Sequence, residues 1–153
     1  MQSKINKFRL MCCVFLPLLS LFVFGCGGKP IDIFDAVRKN DADFVGNWIK
    51  EGGDVNLFDP TGQSLLYIAT GPQGGDEVLD VLLSQGANPN VGMGDYTPLM
   101  NAASWLNIKG VGSLIKHGAN KGLKLKSGKM AIDLIADGDP ALSEKIKEKL
   151  LSK

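Results

Sequence analysis

Apolar residues along this chain recur at helical spacing in short segments, separated by turns rich in glycine, proline and asparagine. Val78, Leu79, Leu82 and Leu83 form a stripe on one face of a helix. Leu66 with Ala69, and Leu99 with Ala102, sit three apart, so each pair shares a face and offers a small residue where a neighbouring helix approaches. Two helices are expected near Asp32–Lys39 and Asp43–Glu51, with Ile33, Ala36, Val45, Trp48 and Ile49 inward. A final helix over Leu142–Leu151 turns Leu142, Ile146 and Leu150 inward and a lysine- and glutamate-rich face to water, as the end of a helical stack requires. Ser64 and Thr97 suit N-caps, Pro98 the first helical position, and Gly86 and Gly118 the left-handed residue that ends a helix. Gly110 and Gly112 fall inside an expected helix, and each should weaken it by about 0.5–1 kcal/mol relative to alanine.

The segments repeat. Ser64-Leu65-Leu66-Tyr67-Ile68-Ala69 matches Thr97-Pro98-Leu99-Met100-Asn101-Ala102 at an offset of 33, and Met130-Ala131-Ile132-Asp133-Leu134-Ile135 follows after another 33. A second word recurs between them: Trp48-Ile49-Lys50-Glu51-Gly52-Gly53-Asp54-Val55-Asn56, then Leu82-Leu83-Ser84-Gln85-Gly86-Ala87-Asn88-Pro89-Asn90, then Leu114-Ile115-Lys116-His117-Gly118-Ala119-Asn120. A period of this size with these two words resembles the ankyrin repeat. The resemblance spans residues 31–151 and implies an all-α solenoid of about four helix-turn-helix units joined by β-hairpin-like loops, over residues 31–55, 56–89, 90–121 and 122–151. Tyr67, Met100 and Asp133 stand where the family has the histidine of its T-P-L-H segment, and Met130 stands for the capping threonine. These departures put the usual hydrogen bonds between repeats in question, not the stacking.

The same resemblance implies where a partner would dock, because ankyrin hairpin tips and first helices line one concave face. It places Met93 and Tyr96 in the hairpin of the third unit and Trp105 at the end of the following helix, an exposed aromatic pair flanked by methionine and suited to anchoring an interface. Gln63, with Pro60, Thr61 and Pro72, occupies that face in the second unit, and Arg38 and Lys39 in the first. Phe58 is a further candidate near the first hairpin. Lys121, Lys124, Lys126 and Lys129 make a basic finger in the fourth.

The N-terminus reads differently. Basic Met1–Arg9 precedes an apolar run from Leu10 to Phe24 and then Gly25-Cys26-Gly27-Gly28. That run is 15 residues, about 22 Å as a helix and short for a membrane span. The order fits a bacterial secretory signal peptide over residues 1–25. Val23-Phe24-Gly25-Cys26 resembles a lipobox, with Phe24 departing from the usual small or β-branched residue, and implies an acylated Cys26 on a short tether, residues 26–30. Cys12 and Cys13 would leave with the signal, so Cys26 would be the one thiol remaining, with no intramolecular disulfide available. The expected location is extracytoplasmic and lipid-anchored. Gly27 after the cysteine leans it towards the outer membrane.

Charge adds a further asymmetry. Residues 27–100 hold 4 basic and 11 acidic side chains, net −7, whereas residues 101–153 hold 10 basic and 5 acidic, net +5. Such a dipole steers charged partners. Catalysis finds no support: His117 is the only histidine, which removes two-histidine metal sites, and its place before Gly118 suits a cation at a helix end. The glycine pairs 25/27 and 92/94 lack the context of a nucleotide fingerprint, and Asp41/Asp43 and Asp137/Asp139 read as caps. The expectation is therefore a monomeric binding module for an unidentified protein, held at the membrane by its lipid, with no cofactor, metal, nucleic acid or small-molecule substrate. Two alternatives stand beside it: an immunity-type inhibitor of a periplasm-acting toxin, and a structural brace of the envelope.

Overall fold

The structure is a computed structural model that describes residues 32–72 and 75–152. Within them seven α-helices run α1 (Ile33–Arg38), α2 (Ala42–Lys50), α3 (Leu65–Ala69), α4 (Asp76–Ser84), α5 (Pro98–Ser104), α6 (Ile108–Lys116) and α7 (Pro140–Leu151), with a 3-10 turn at Ala131–Leu134. They stack in two rows. The short helices α1, α3 and α5 and the 3-10 turn form one row, and α2, α4, α6 and α7 form the other. Each first helix packs on its own second helix and on its neighbour in the row, so Leu65, Leu79, Leu82, Leu99, Val111, Leu114 and Ile146 share one continuous core. Burying a leucine contributes about 1.5–3 kcal/mol. No helix pair closes a core by itself, so that gain comes from stacking.

Local signals set the helix ends. Ser64 and Thr97 accept hydrogen bonds from the Tyr67 and Met100 amides, and Pro98 sits in the first turn of α5. Asp41 and Asp139 cap α2 and α7, the plain structural role expected of them. Gly86 and Gly118 take φ of +86° after α4 and α6, a conformation costly for any side chain. His117 caps the C-terminus of α6, its Nδ1 2.9 Å from the Ser113 carbonyl oxygen. Gly110 proves useful where the sequence suggested only weakness. Asn107 caps α6 by accepting from the Gly110 amide at 2.7 Å, and a Cβ on residue 110 would lie 2.8 Å from the Asn107 side chain.

Hydrogen bonds between repeats form with Tyr67, Met100 and Asp133 in place of a histidine, because other side chains supply them. Asp54, Asn88 and Asn120 each close their own turn onto the amide two residues later. Asn56 and Asn90 then reach forward, accepting from the amides of Asn88 and Asn120 at 2.8 and 2.7 Å. Asn40 does the same for α4. Gly75 offers that helix no side-chain cap, and Asn40 Oδ1 of the preceding pair accepts from the Val78 amide at 3.0 Å instead. Its left-handed backbone, φ 55°, is one that asparagine tolerates.

The fourth unit departs from the others. Where α1, α3 and α5 have counterparts, it has only the 3-10 turn, because Met130 gives no side-chain cap and Ile135 is already extended. Asp133 folds back instead, accepting from the Met130 amide at 2.9 Å. Ile146 and Leu150 of α7 are buried against the stack, Leu142 is half-buried, and Leu151 points to solvent. Cys26, the apolar run before it and the tether lie outside the described residues. Among the described residues no helix is long and apolar enough to cross a membrane.

Candidate protein-binding groove

Three projecting turns, or fingers, lead into the short helices. Asp59 organises the first. Its Oδ1 accepts from the Thr61 hydroxyl at 2.6 Å, the Thr61 amide at 2.9 Å and the Gln63 amide at 3.0 Å. Its Oδ2 lies 3.5 Å from the Arg38 guanidinium, and its side chain is almost wholly buried. Burial works to raise its pKa. The Thr61 hydroxyl, the Gln63 and Thr61 amides and the Arg38 charge outweigh burial and hold the carboxyl below its ordinary value. The finger turn closes through Asp59 N to Gln63 O, and the fourth unit repeats this geometry through Leu125 N to Lys129 O. The third unit tightens it: Met93 and Tyr96 exchange both backbone hydrogen bonds across Gly94-Asp95.

Adjacent fingers are joined. Gln63 pairs with Met93 in an antiparallel bridge, the Ser64 hydroxyl donates to Val91 O at 2.7 Å, and Asp95 accepts from the Lys126 amide at 2.8 Å. Behind them, between the finger bases and the ends of the short helices, lies an open groove of about 240 Å³. Arg38, Gln63, Tyr67, Ile68, Gly71, Pro72, Asn101 and Trp105 form its walls. Three residues singled out from sequence in separate repeats, Arg38, Gln63 and Trp105, thus meet in one cleft. Trp105 is 56% exposed.

The other candidates are placed elsewhere. Met93 stands on the rim beside Gln63, 43% exposed. Tyr96 is a correction. It is half-buried, not exposed, because its ring meets Tyr67 of the previous repeat edge-on at 6.1 Å. Burial, and secondarily the Tyr96 phenol, raise the pKa of Tyr67, so it stays protonated at neutral pH. Phe58 is 46% exposed and bridges to Ser64, away from the groove walls. Lys126 and Lys129 are exposed on the finger of the fourth unit, also apart from them. Among the described residues no cluster of three histidine, cysteine, aspartate or glutamate side chains is placed to hold a metal ion.

A family model for ankyrin repeats, in three copies, matches residues 33–124, more than half of the chain. The chain belongs to the ankyrin-repeat family. Its fold is also similar to the crystal structure of the human ASB11 ankyrin repeat domain, with a TM-score of 0.68 and 24% identity over 80% of this chain. The match covers 53% of that chain, so this ankyrin stack spans about half the length of its solved neighbour. The match to the family model ends at residue 124, just inside the fourth unit and before its 3-10 turn.

Tyr67, Ile68, Gly71 and Asn101 are groove residues that sequence reasoning missed. For Asn101 a signal existed. Ile68, Asn101 and Leu134 occupy the same column of the repeat at intervals of 33, so one amide stands in an apolar column. The amide is 5% exposed and ties two repeats together, its Nδ2 donating to Tyr67 O and to Thr70 Oγ1, each at 3.1 Å.

Proposed function

We propose that this ankyrin-repeat protein is a binding module that holds another protein in the groove between its fingers and short helices, and that it does so outside the cytoplasm, tethered through a lipid on Cys26. The supporting observation is the exposed indole of Trp105 beside the buried Asn101 amide in a cleft built by three repeats. Large aromatics flanked by well-ordered polar residues are the groups that anchor protein interfaces. Ankyrin repeats are interaction scaffolds, which agrees with a groove that brings together no nucleophile, base or metal-binding set.

The test uses the partner in its native setting. A photo-crosslinker placed at Gln63 in cells should join the chain to one predominant protein. Trp105→Ala combined with Met93→Ala should reduce that product by roughly 30-fold, the effect expected on removing an anchor worth about 2 kcal/mol. Tyr96 is left intact because truncating it would open the contact with Tyr67 and confuse unfolding with lost binding. An undiminished crosslink in the double variant would remove the groove as the binding site.

The tether is tested separately. Cys26→Ala should abolish incorporation of labelled fatty acid and move the protein from the membrane to the soluble fraction, since stable anchoring needs more than one acyl chain and the cysteine is their proposed site. A variant that still sediments with membranes would mean that the apolar run, and no lipid, anchors the chain. The inhibitor reading keeps one specific support, the opposite charges of the two halves, which would speed capture of a charged enzyme.

A further inference from the structure

The groove's chemistry narrows what enters it, granted the binding role just proposed. The C-terminal ends of α1, α3 and α5 converge there, bringing Arg38, then Ile68 with Gly71 and Pro72, then Asn101 with Trp105. Helix C-termini carry partial negative charge and favour cations. Arg38, the formal cation in the wall, is outnumbered. Its guanidinium lies 3.6 Å from Asp35 and 3.5 Å from Asp59, so the three groups together carry net negative charge. Asn101 adds an acceptor. Both of its amide hydrogens are engaged by Tyr67 O and Thr70 Oγ1, and its Oδ1 makes no hydrogen bond to another described residue. Beside it stands the exposed face of Trp105, four residues further on and on the same side of the helix.

We propose that the groove receives a lysine or arginine side chain carried by an extended segment of the partner protein. The charged head donates to Asn101 Oδ1 and lies over the helix ends, while its stem or guanidinium plane rests on Trp105. An aromatic face attracts a cation through its quadrupole, and more strongly where water is excluded. A carboxylate in the same place would have to compete with Asp35 and Asp59 for Arg38, and the net −7 of residues 27–100 would repel it on approach.

The full chain in a nonionic detergent, titrated with two short alanine-proline peptides that differ only in one central arginine or glutamate, tests this. The arginine peptide should bind, and the glutamate peptide should bind at least tenfold more weakly. Raising the salt from about 50 to about 300 mM should weaken the arginine peptide several-fold, because screening shortens the reach of the acidic field. Trp105→Leu should cost it about tenfold. Asp35→Asn, at an exposed position of α1, should weaken it with no change in melting temperature.

Equal or tighter binding of the glutamate peptide overturns the inference. So does arginine binding that ignores Trp105→Leu, or no binding of the arginine peptide up to millimolar concentration. If the crosslink from Gln63 still captures a Trp105-dependent partner in any of those cases, the binding role stands and only the cationic specificity fails. Loss of both results removes the groove altogether.

Discussion

Asp59→Ala will destabilise the folded stack by about 3 kcal/mol, lowering its melting temperature by roughly 10 °C, more than any change at the groove surface. The substitution deletes an acceptor that holds the Thr61 hydroxyl, two finger amides and the Arg38 guanidinium, and it leaves the amides without that partner in a partly buried setting. Arg38 is one-third exposed and water compensates it in part, so the loss falls at the lower end of the range for a broken buried ion pair. Asp59→Asn keeps one carbonyl acceptor and should lose less. The pH dependence follows from the lowered pKa of Asp59. A depressed carboxyl contributes its full stability above the ordinary aspartate value, near 3.8, and loses that contribution as pH falls through the lower folded value. Urea melts at pH 7, 4 and 3 should therefore show the gap between wild type and Asp59→Asn shrinking only at the acidic end. A gap that stays constant down to pH 3, or an Asp59→Ala protein as stable as wild type, would refute this account of the finger.

Gly92→Ala comes next, with an expected loss of about 2–3 kcal/mol. Tightening the third unit's finger to a two-residue turn brings the Tyr96 carbonyl onto residue 92, where a Cβ would sit 2.1 Å from the oxygen and 3.1 Å from Thr97 Cα. Both obstacles are backbone, so no rotamer change relieves them, and the finger must move as a body. Its movement would break Ser64 N to Gly92 O and the Gln63–Met93 bridge, loosening the rim of the groove as well as the fold. Thermal denaturation gives the stability loss. The arginine-peptide titration should register the rim defect as weaker binding. Gly92→Ala with wild-type melting temperature would show that the third unit's finger has slack that its geometry denies.

The parts of this fold that can be read from sequence are those encoded within one repeat. The apolar stripe of α4, the caps Ser64 and Thr97 and the terminators Gly86 and Gly118 each depend on residues within a turn or two of one another. What escaped is what the neighbouring repeat decides. Asn40 looks like an ordinary turn residue until it is seen capping a helix 38 positions later. Asp59 sits in an unremarkable Asp-Pro-Thr-Gly turn, and its weight comes from Arg38 in the previous unit. Tyr96 read as exposed because the ring that covers one side of it, Tyr67, belongs to the repeat before. The groove was legible in outline, since the repeat assigns Arg38, Gln63 and Trp105 to one face. Its polarity was not, because that depends on which atom of Asn101 remains unengaged once Tyr67 O and Thr70 have taken the other.

The fingers also separate two kinds of sequence change. From the glycine that ends one helix pair to the cap that begins the next, the chain takes 12 residues from Gly52 to Ser64, 11 from Gly86 to Thr97 and 12 from Gly118 to Met130. The missing residue is absorbed at the tip, where Gly94-Asp95 makes a tighter turn, and the helices on either side keep their stacking. A residue gained or lost inside a helix would rotate every later side chain by about 100° and take its apolar face out of the core. A residue gained or lost at a finger tip changes what is presented to a partner without rotating the helices that follow. Binding specificity in this protein can therefore be rewritten by length as well as by side chain, while the row of helices behind it stays in register.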